Sequence, residues 1–451
     1  MSLLKTHPKE LDTDSEQEKQ KSVVYDENAD VFGNEEGHDI HYKTLSWQVV
    51  ALLMIAEIVS NGMLSLPSAL AVVGIVPGVI LIIFLGSFAL FTAKLLIDFK
   101  LNHPEVHNMG DAGFIIFGPI GREILSAGTI VFAIAATGSE LLSGQQALST
   151  LSDNGLCAMV LCLIFACAAF FVALPRTLDK VSWLGLASVV LILIAGIVAM
   201  IGIGIHPTPG RTVQATVPQT FYEAFLAITN PVFAYAGHFM FFILISEMRR
   251  PQDAMKAAYC LQGFSTLFYV VFSVVLYVYA GSEVASPAFF SLPEKWAKAA
   301  FGIALGNFLL AAGLYSHTAS KLIFVRFFRH SKHIHTHTVL GWSIWIGLCF
   351  ITMAIAFVFS IAVPIFSYLI GITAALFASW YTYGLAGFFW LHDAYHLGDG
   401  MNTLKRRWVM TTISLLTILA GAFVCVAGTY VSIKLIVQAY QSGLVGKPFT
   451  C

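Results

Sequence analysis

Charge is what this sequence has least of. Asp, Glu, Lys and Arg make up 11% of its 451 residues, about half the share with which a soluble chain covers its surface. Hydrophobic residues reach 57%, so a soluble globular fold of this length is excluded. The formal net charge is −1. No domain-sized basic patch stands out, which leaves nucleic acid out of the expected partners. Paired-cysteine spacing is missing as well. No CxxC occurs, so neither a disulfide framework nor a structural zinc site is expected. Cys157, Cys162, Cys167, Cys260, Cys349 and Cys425 lie in apolar runs, where cysteine behaves as a small hydrophobe. A Walker loop is absent, against ATP-driven pumping. No nucleophile–base pair points to an enzyme, no filter motif to a channel, and no cofactor is expected.

What the sequence has is long apolar runs. Stretches of about 20 apolar residues, enough to cross a bilayer as a helix, occur eleven times. Their limits fall near 46–73, 75–97, 122–149, 156–175, 182–205, 220–246, 256–281, 298–322, 339–360, 362–390 and 408–438. The ninth and tenth are parted only by a turn at Val363-Pro364. Residues 1–43 hold eleven acids against five lysines, with no apolar stretch of signal-peptide length. They are expected to form a disordered acidic tail. Residues 44–440 then form the membrane domain, and residues 441–451 a short tail. Lys and Arg set the orientation. With the N-terminus in the cytoplasm, 20 of them fall on the inner side; Arg211, Lys295, Lys298, Lys434 and Lys447 are the 5 outside. The C-terminus is then extracellular or lumenal.

Two spans are interrupted. The first contains Val59-Ser60-Asn61-Gly62 with Pro67 soon after; the sixth contains Asn230-Pro231 and then Gly237-His238. Breaks near the middle of spans one and six are the pattern of a five-plus-five inverted repeat. The halves would be 46–205 and 220–390, with 408–438 an added helix.

The string Glu57-Ile58-Val59-Ser60-Asn61-Gly62-Met63-Leu64-Ser65-Leu66-Pro67 resembles the first-helix motif of the amino acid/auxin permease family. The segment Gly313-Leu314-Tyr315-Ser316-His317-Thr318-Ala319-Ser320-Lys321 is similar to the eighth helix of its fungal branch. The resemblance covers about residues 45–440. It implies an all-α membrane protein of eleven transmembrane helices, with a LeuT-type inverted repeat and broken helices one and six. It further implies secondary active transport of neutral aliphatic and aromatic amino acids with protons or sodium, at the plasma or, secondarily, the vacuolar membrane.

A zwitterion in a low-dielectric site can be held by the backbone that a broken helix exposes. Unpaired N–H groups of Met63 and Leu64, after Gly62, would face the carboxylate. Carbonyls near Val59, Ser60, Phe233 and Ala234 would receive the ammonium. Gly62 and Gly237 would permit the non-helical backbone, and Ser60, Asn61 and Asn230 would satisfy what the breaks leave open. Phe233 and Tyr235 could line a side-chain pocket, with Thr137 and Gly138 as further candidates. The bland alternative is two kinked helices satisfied by their neighbours.

Ionisable groups inside the membrane are costly and usually functional. Glu57, Glu140 and Glu223 stand out among the acids within spans; His238 and His317 join them as possible proton carriers. Glu57 is preferred for coupling because it precedes the first break. Sodium is disfavoured. Ser316 and Thr318 lie about 200° apart around a helix, and Ser320 sits beside Lys321, whose charge would repel the ion. The run His330, His333, His335 and His337 has no carboxylate or cysteine partner, so no metal site is expected there. Two other functions stay open: an amino-acid sensor signalling through the acidic tail, and a same-fold transporter of another small solute such as a polyamine.

Overall fold

The computed structural model describes residues 41–176, 182–328, 331–334 and 336–443. Among these the chain is all-helical, with one isolated bridge between Leu45 and Met248. The first span is two half-helices, α1 (Trp47–Ile58) and α2 (Leu66–Val73), joined through the 3₁₀ turn Asn61–Ser65. Then come α3 (Ile75–Asn102), α4 (Met109–Leu151), α5 (Ala158–Ala173) and α6 (Ser182–Ile205). The sixth span is again divided, into α7 (Phe221–Ala234) and α8 (His238–Ser246). It is followed by α9 (Ala254–Ala280), α10 (Glu294–Phe328) and α11 (Val339–Ala362). A composite helix then runs from α12 (Phe366–Thr373) through a π-helical stretch, Ala374–Gly384, into α13 (Leu385–His396). The short α14 (Met401–Arg406) leads to α15 (Trp408–Gln441).

Ten of these units are long and apolar enough to cross a membrane. α5, the remaining apolar helix, has 16 residues and so spans about 24 Å, short of a hydrocarbon core of about 30 Å. The expected limits hold closely for α15 and poorly for α4, which begins at Met109 and not near residue 122. The extra segment is capped by the Asn108 side chain and ends at a kink where Gly118 takes φ +70° just before Pro119. Only glycine adopts that left-handed backbone without strain. Cys157 also differs from expectation. It sits at the N-cap of α5 and is disulfide-bonded.

Burial grades from the broken helices outward. In the hydrophobic windows of the first and sixth spans 89% and 94% of residues are buried, against 17% in α15. The two interrupted helices therefore form the centre. α3, α5, α6, α11 and α15 present Ile80, Phe84, Phe171, Ile194, Phe350 and Phe423 outward, as lipid-facing surfaces do. α4 packs at length along α10, and α15 along the π-helical stretch. The last contact depends on small residues. A Cβ on Gly421 would lie 2.8 Å from the Gly384 Cα, so two helix backbones touch there.

Candidate functional site

The two breaks meet at the centre of the bundle. After Ile58 the backbone leaves the helix at Val59 (φ −84°, ψ 72°) and Ser60 (φ −135°, ψ −127°). In the sixth span Asn230-Pro231 is not the break, as the sequence had suggested. Both residues remain inside α7, and the helix ends at Tyr235. Proline lacks only its own N–H, a loss one neighbour can satisfy, so the helix passes through it. Gly62 and Gly237 do not serve the purpose expected either. Gly237 has φ −106°, open to any residue. What they allow is close approach: a Cβ on Gly62 would stand 3.0 Å from the Ala234 Cα, and one on Gly237 would stand 2.3 Å from Ile58 Cδ1.

The exposed backbone of the breaks is largely taken up by side chains. The Tyr269 hydroxyl, from α9, lies 2.9 Å from the Ile58 carbonyl and 2.8 Å from the Ala234 carbonyl. The Tyr315 hydroxyl, from α10, donates to the Glu57 carbonyl at 3.0 Å. Met63 N–H, expected to be free, closes the 3₁₀ turn onto the Ser60 carbonyl at 3.3 Å. Phe233 O is likewise occupied, by Ala236 N–H at 2.9 Å. Ser60 Oγ lies 3.0 Å from Glu140 Oε2 and 2.6 Å from Asn307 Oδ1. Asn307 Nδ2 donates to Ser188 Oγ at 2.8 Å, and Asn61 Nδ2 to Ser139 Oγ at 2.9 Å. Glu57 is buried, and its Oε1 has no hydrogen-bond partner among the described residues.

Val59, Ser60, Asn61, Gly62, Met63, Phe233, Ala234 and Glu57 are thus gathered at one sealed centre, with Glu140 joining them from α4. Other candidates point elsewhere. Tyr235 sends its hydroxyl away to Ile82 O and Thr266 Oγ1, both at 3.1 Å, while its ring packs edge-on against Tyr269. Thr137 bonds within its own helix, and Gly138 faces Phe359 and Ala356 of α11. His238 points its Nε2 at the Ala89 carbonyl at 2.8 Å and stacks on Phe241. His317 lies edge-on to Trp345, with Nδ1 3.3 Å from the Ala173 carbonyl. Both histidines are packed into helix contacts away from the break. Glu223 is exposed at the start of α7 and accepts from Thr220 Oγ1. His333 and His337 bond to Thr338 and Trp342 of their own segment; His330 and His335 lie outside the described residues.

Tyr269, Tyr315, Asn307, Ser139 and Ser188 were not singled out from the sequence. Their common signal is a polar group on an otherwise apolar helix, which alone does not say which break it faces. Phe132, Phe239 and Tyr315 form a wall of rings beside the first break, with centroids 4.6 and 6.1 Å apart.

Beyond the centre, α8 and α10 are joined by a buried ion pair. Lys321 of α10 holds Glu247 at the end of α8, both almost fully buried, and the Tyr42 ring covers the ammonium at 4.8 Å. Leu45 N–H bonds the Glu247 carbonyl at 3.0 Å, and Tyr42 OH bonds the Ile334 carbonyl at 3.0 Å. Lys321, whose charge was expected to repel a cation beside Ser320, is neutralised by Glu247. Ser316 and Ser320 meet instead at Thr352 of α11, at 3.0 and 3.1 Å, while Thr318 turns to Met240. The segment before α7 is tied to the start of α3, where Ile75 and Val76 donate to the Gln214 and Ala215 carbonyls.

The family described as transmembrane amino acid transporter protein matches residues 43–434. The N amino acid transport system protein of Neurospora crassa is 32% identical over 92% of this chain and 90% of its own length. A transmembrane transporter of Fusarium pseudograminearum is 29% identical over 95% and 90%. Among solved structures, MhsT in complex with L-phenylalanine superposes with a TM-score of 0.57 at 12% identity, covering 89% of this chain and 100% of its own. A Na+-coupled sialic acid symporter in a substrate-bound outward-open state gives 0.54 at 12%, over 87% and 91%. The fold is therefore of the LeuT type. With this geometry and these relatives, the chain belongs to the transmembrane amino acid transporter family, a family of multi-pass carriers and not of enzymes.

Proposed function

We propose that this protein imports neutral aliphatic and aromatic amino acids, coupled to protons, by alternating access across the plasma membrane. The observation that carries the reading is the pair of carbonyls, Ile58 O and Ala234 O, brought to one Tyr269 hydroxyl where the two broken helices touch. A hydroxyl has one proton, so it serves one of these acceptors at a time. The other is available to a substrate ammonium. The substrate carboxylate goes to the turn Ser60–Met63 at the start of the second half-helix, where the peptide dipoles favour negative charge. Its side chain lies along the Phe132, Phe239 and Tyr315 rings, a surface that suits Leu, Phe or Trp. A same-fold protein, MhsT, holds L-phenylalanine.

Acidic side chains are disfavoured beside Glu57 and Glu140, and the wall of rings suits an apolar side chain better than a basic one. Glu57 is the proton carrier, buried beside the break with an oxygen left unpaired. Uptake of labelled amino acids in a transport-deficient host, with and without a proton gradient, tests the reading. Competition by Leu, Phe and Trp should exceed that by Lys or Glu, and a protonophore should abolish accumulation. Preference for Arg or Lys, or strict dependence on sodium, would overturn it.

A further inference from the structure

Away from the breaks, at the end of the bundle that carries Arg406 and Arg407, three side chains with metal-binding atoms converge. His103 caps the end of α3, and His392 and Asp393 come from α13, about 290 residues later. His103 Nε2 is 2.9 Å and His392 Nδ1 3.1 Å from the same oxygen, Asp393 Oδ1. One donor atom from each residue lies within 4.8 Å of the others. A tetrahedral zinc ion bound at about 2.0–2.1 Å holds its donors about 3.3 Å apart, so little movement would seat one.

The surroundings resemble those of a built site. Asn102 Nδ2 donates to Asp393 Oδ2 at 2.8 Å and fixes the carboxylate's orientation, as outer partners of metal ligands do. The Phe99 ring lies against His103, with centroids 4.4 Å apart. His396 lies one turn beyond His392 with its ring 4.5 Å away, outside the three residues whose donor atoms converge. The three donors are each 14% exposed, partly desolvated yet reachable. A cavity of about 690 Å³ between α3 and α13, lined by Asn102 and Asp393, provides the approach. Two imidazoles and one carboxylate suit zinc and its transition-metal neighbours better than calcium or magnesium, which take all-oxygen shells.

We propose that His103, His392 and Asp393 bind a zinc-class divalent ion that clasps α3 to α13 and thereby slows the transport cycle. Without metal, both imidazoles can donate to Asp393; an ion entering between them takes the lone pairs of those two ring nitrogens, each neutral imidazole then carrying its one proton on the other ring nitrogen. The clasp rests on the transport reading, whereas the binding does not, and the two are tested separately.

Purified full-length protein, stripped with EDTA, is titrated with zinc chloride by calorimetry and with cobalt chloride by visible absorption. His103→Gln and Asp393→Asn, which keep a hydrogen-bonding side chain at each position, are compared after confirming monodisperse elution. His392→Gln replaces either if it does not fold. Wild type should bind one more ion than the variants, with affinity at least tenfold higher, and give a tetrahedral cobalt band that they lack. Difference measurement removes any ion held by the His333–His337 segment. Equal stoichiometry and affinity in wild type and variants would overturn the site. In proteoliposomes, zinc on the face bearing the site should lower uptake several-fold, reversibly with EDTA, and leave His103→Gln unaffected. Zinc bound at full occupancy with uptake unchanged would overturn the clasp. Protein that binds zinc here but moves no amino acid would instead count against the transport reading.

Discussion

Tyr269 stands 2.8 and 2.9 Å from two carbonyls with a single proton to give. Replacing it by Phe leaves both acceptors buried without a donor, at a cost of about 1–3 kcal/mol to the substrate-free protein. A substrate ammonium would restore one of them. Stabilisation by saturating Leu or Phe, read as a shift in thermal midpoint, should therefore be larger in Tyr269→Phe than in wild type; a smaller shift would sever the link between this hydroxyl and substrate. Gly62 is constrained by space and not by torsion. Its Cβ direction meets the Ala234 Cα at 3.0 Å, on backbone that cannot rotate aside. Gly62→Ala should impair uptake and Gly62→Val abolish it with surface expression retained, measured by labelled uptake beside surface biotinylation. Normal uptake by Gly62→Val would mean that the breaks need not touch. For Glu57→Gln, exchange should persist while uphill accumulation driven by external acid is lost. Normal pH-driven accumulation would remove Glu57 from coupling and turn attention to Glu140, which already accepts from Ser60.

Among the elements, α8 and α10 are joined by the buried pair Glu247–Lys321, with the chain before α1 laid over it through Tyr42 and Leu45. Breaking one member of such a pair leaves an uncompensated buried charge and costs about 3–5 kcal/mol, whereas an apolar pair of similar volume is often neutral. Lys321→Met should accordingly lower thermal stability in detergent markedly, and Lys321→Met with Glu247→Leu should recover most of it. No recovery in the double variant would show that Tyr42 packing, and not charge, holds this end. The first break could be read from its own residues because Ser60, Asn61 and Gly62 lie consecutively, with Pro67 five residues on, in a run that is otherwise mostly apolar. Of the two signals in the sixth span, Gly237-His238 marks where the helix is interrupted and Asn230-Pro231 does not. Asn230-Pro231 carries the stronger local signal for a break, yet α7 continues through it to Ala234. Local propensity does not decide between them.

At the scale of the molecule, the excess of Lys and Arg at one end of the bundle predicts the N-terminus in the cytoplasm and the C-terminus on the opposite face. Epitope tags at each end, read in intact and permeabilised cells, check this; if both need permeabilisation, the number of crossings differs from that expected. Hydropathy alone determined that the chain is a helical membrane protein and where its long helices lie. It could do so because a bilayer forces each span to satisfy its own backbone and to be apolar along its length. The motif at Glu57–Pro67 further pointed to the family. Which polar groups meet was legible only from packing. Tyr269, Tyr315 and Asn307 sit far from both breaks in sequence, His238 and His317 turn into helix contacts, and His103 reaches His392 and Asp393 across about 290 residues. Each of these depends on the rotation of one helix against another. That rotation is set by side-chain volumes and close glycine contacts summed over the whole bundle, which no single stretch of residues encodes.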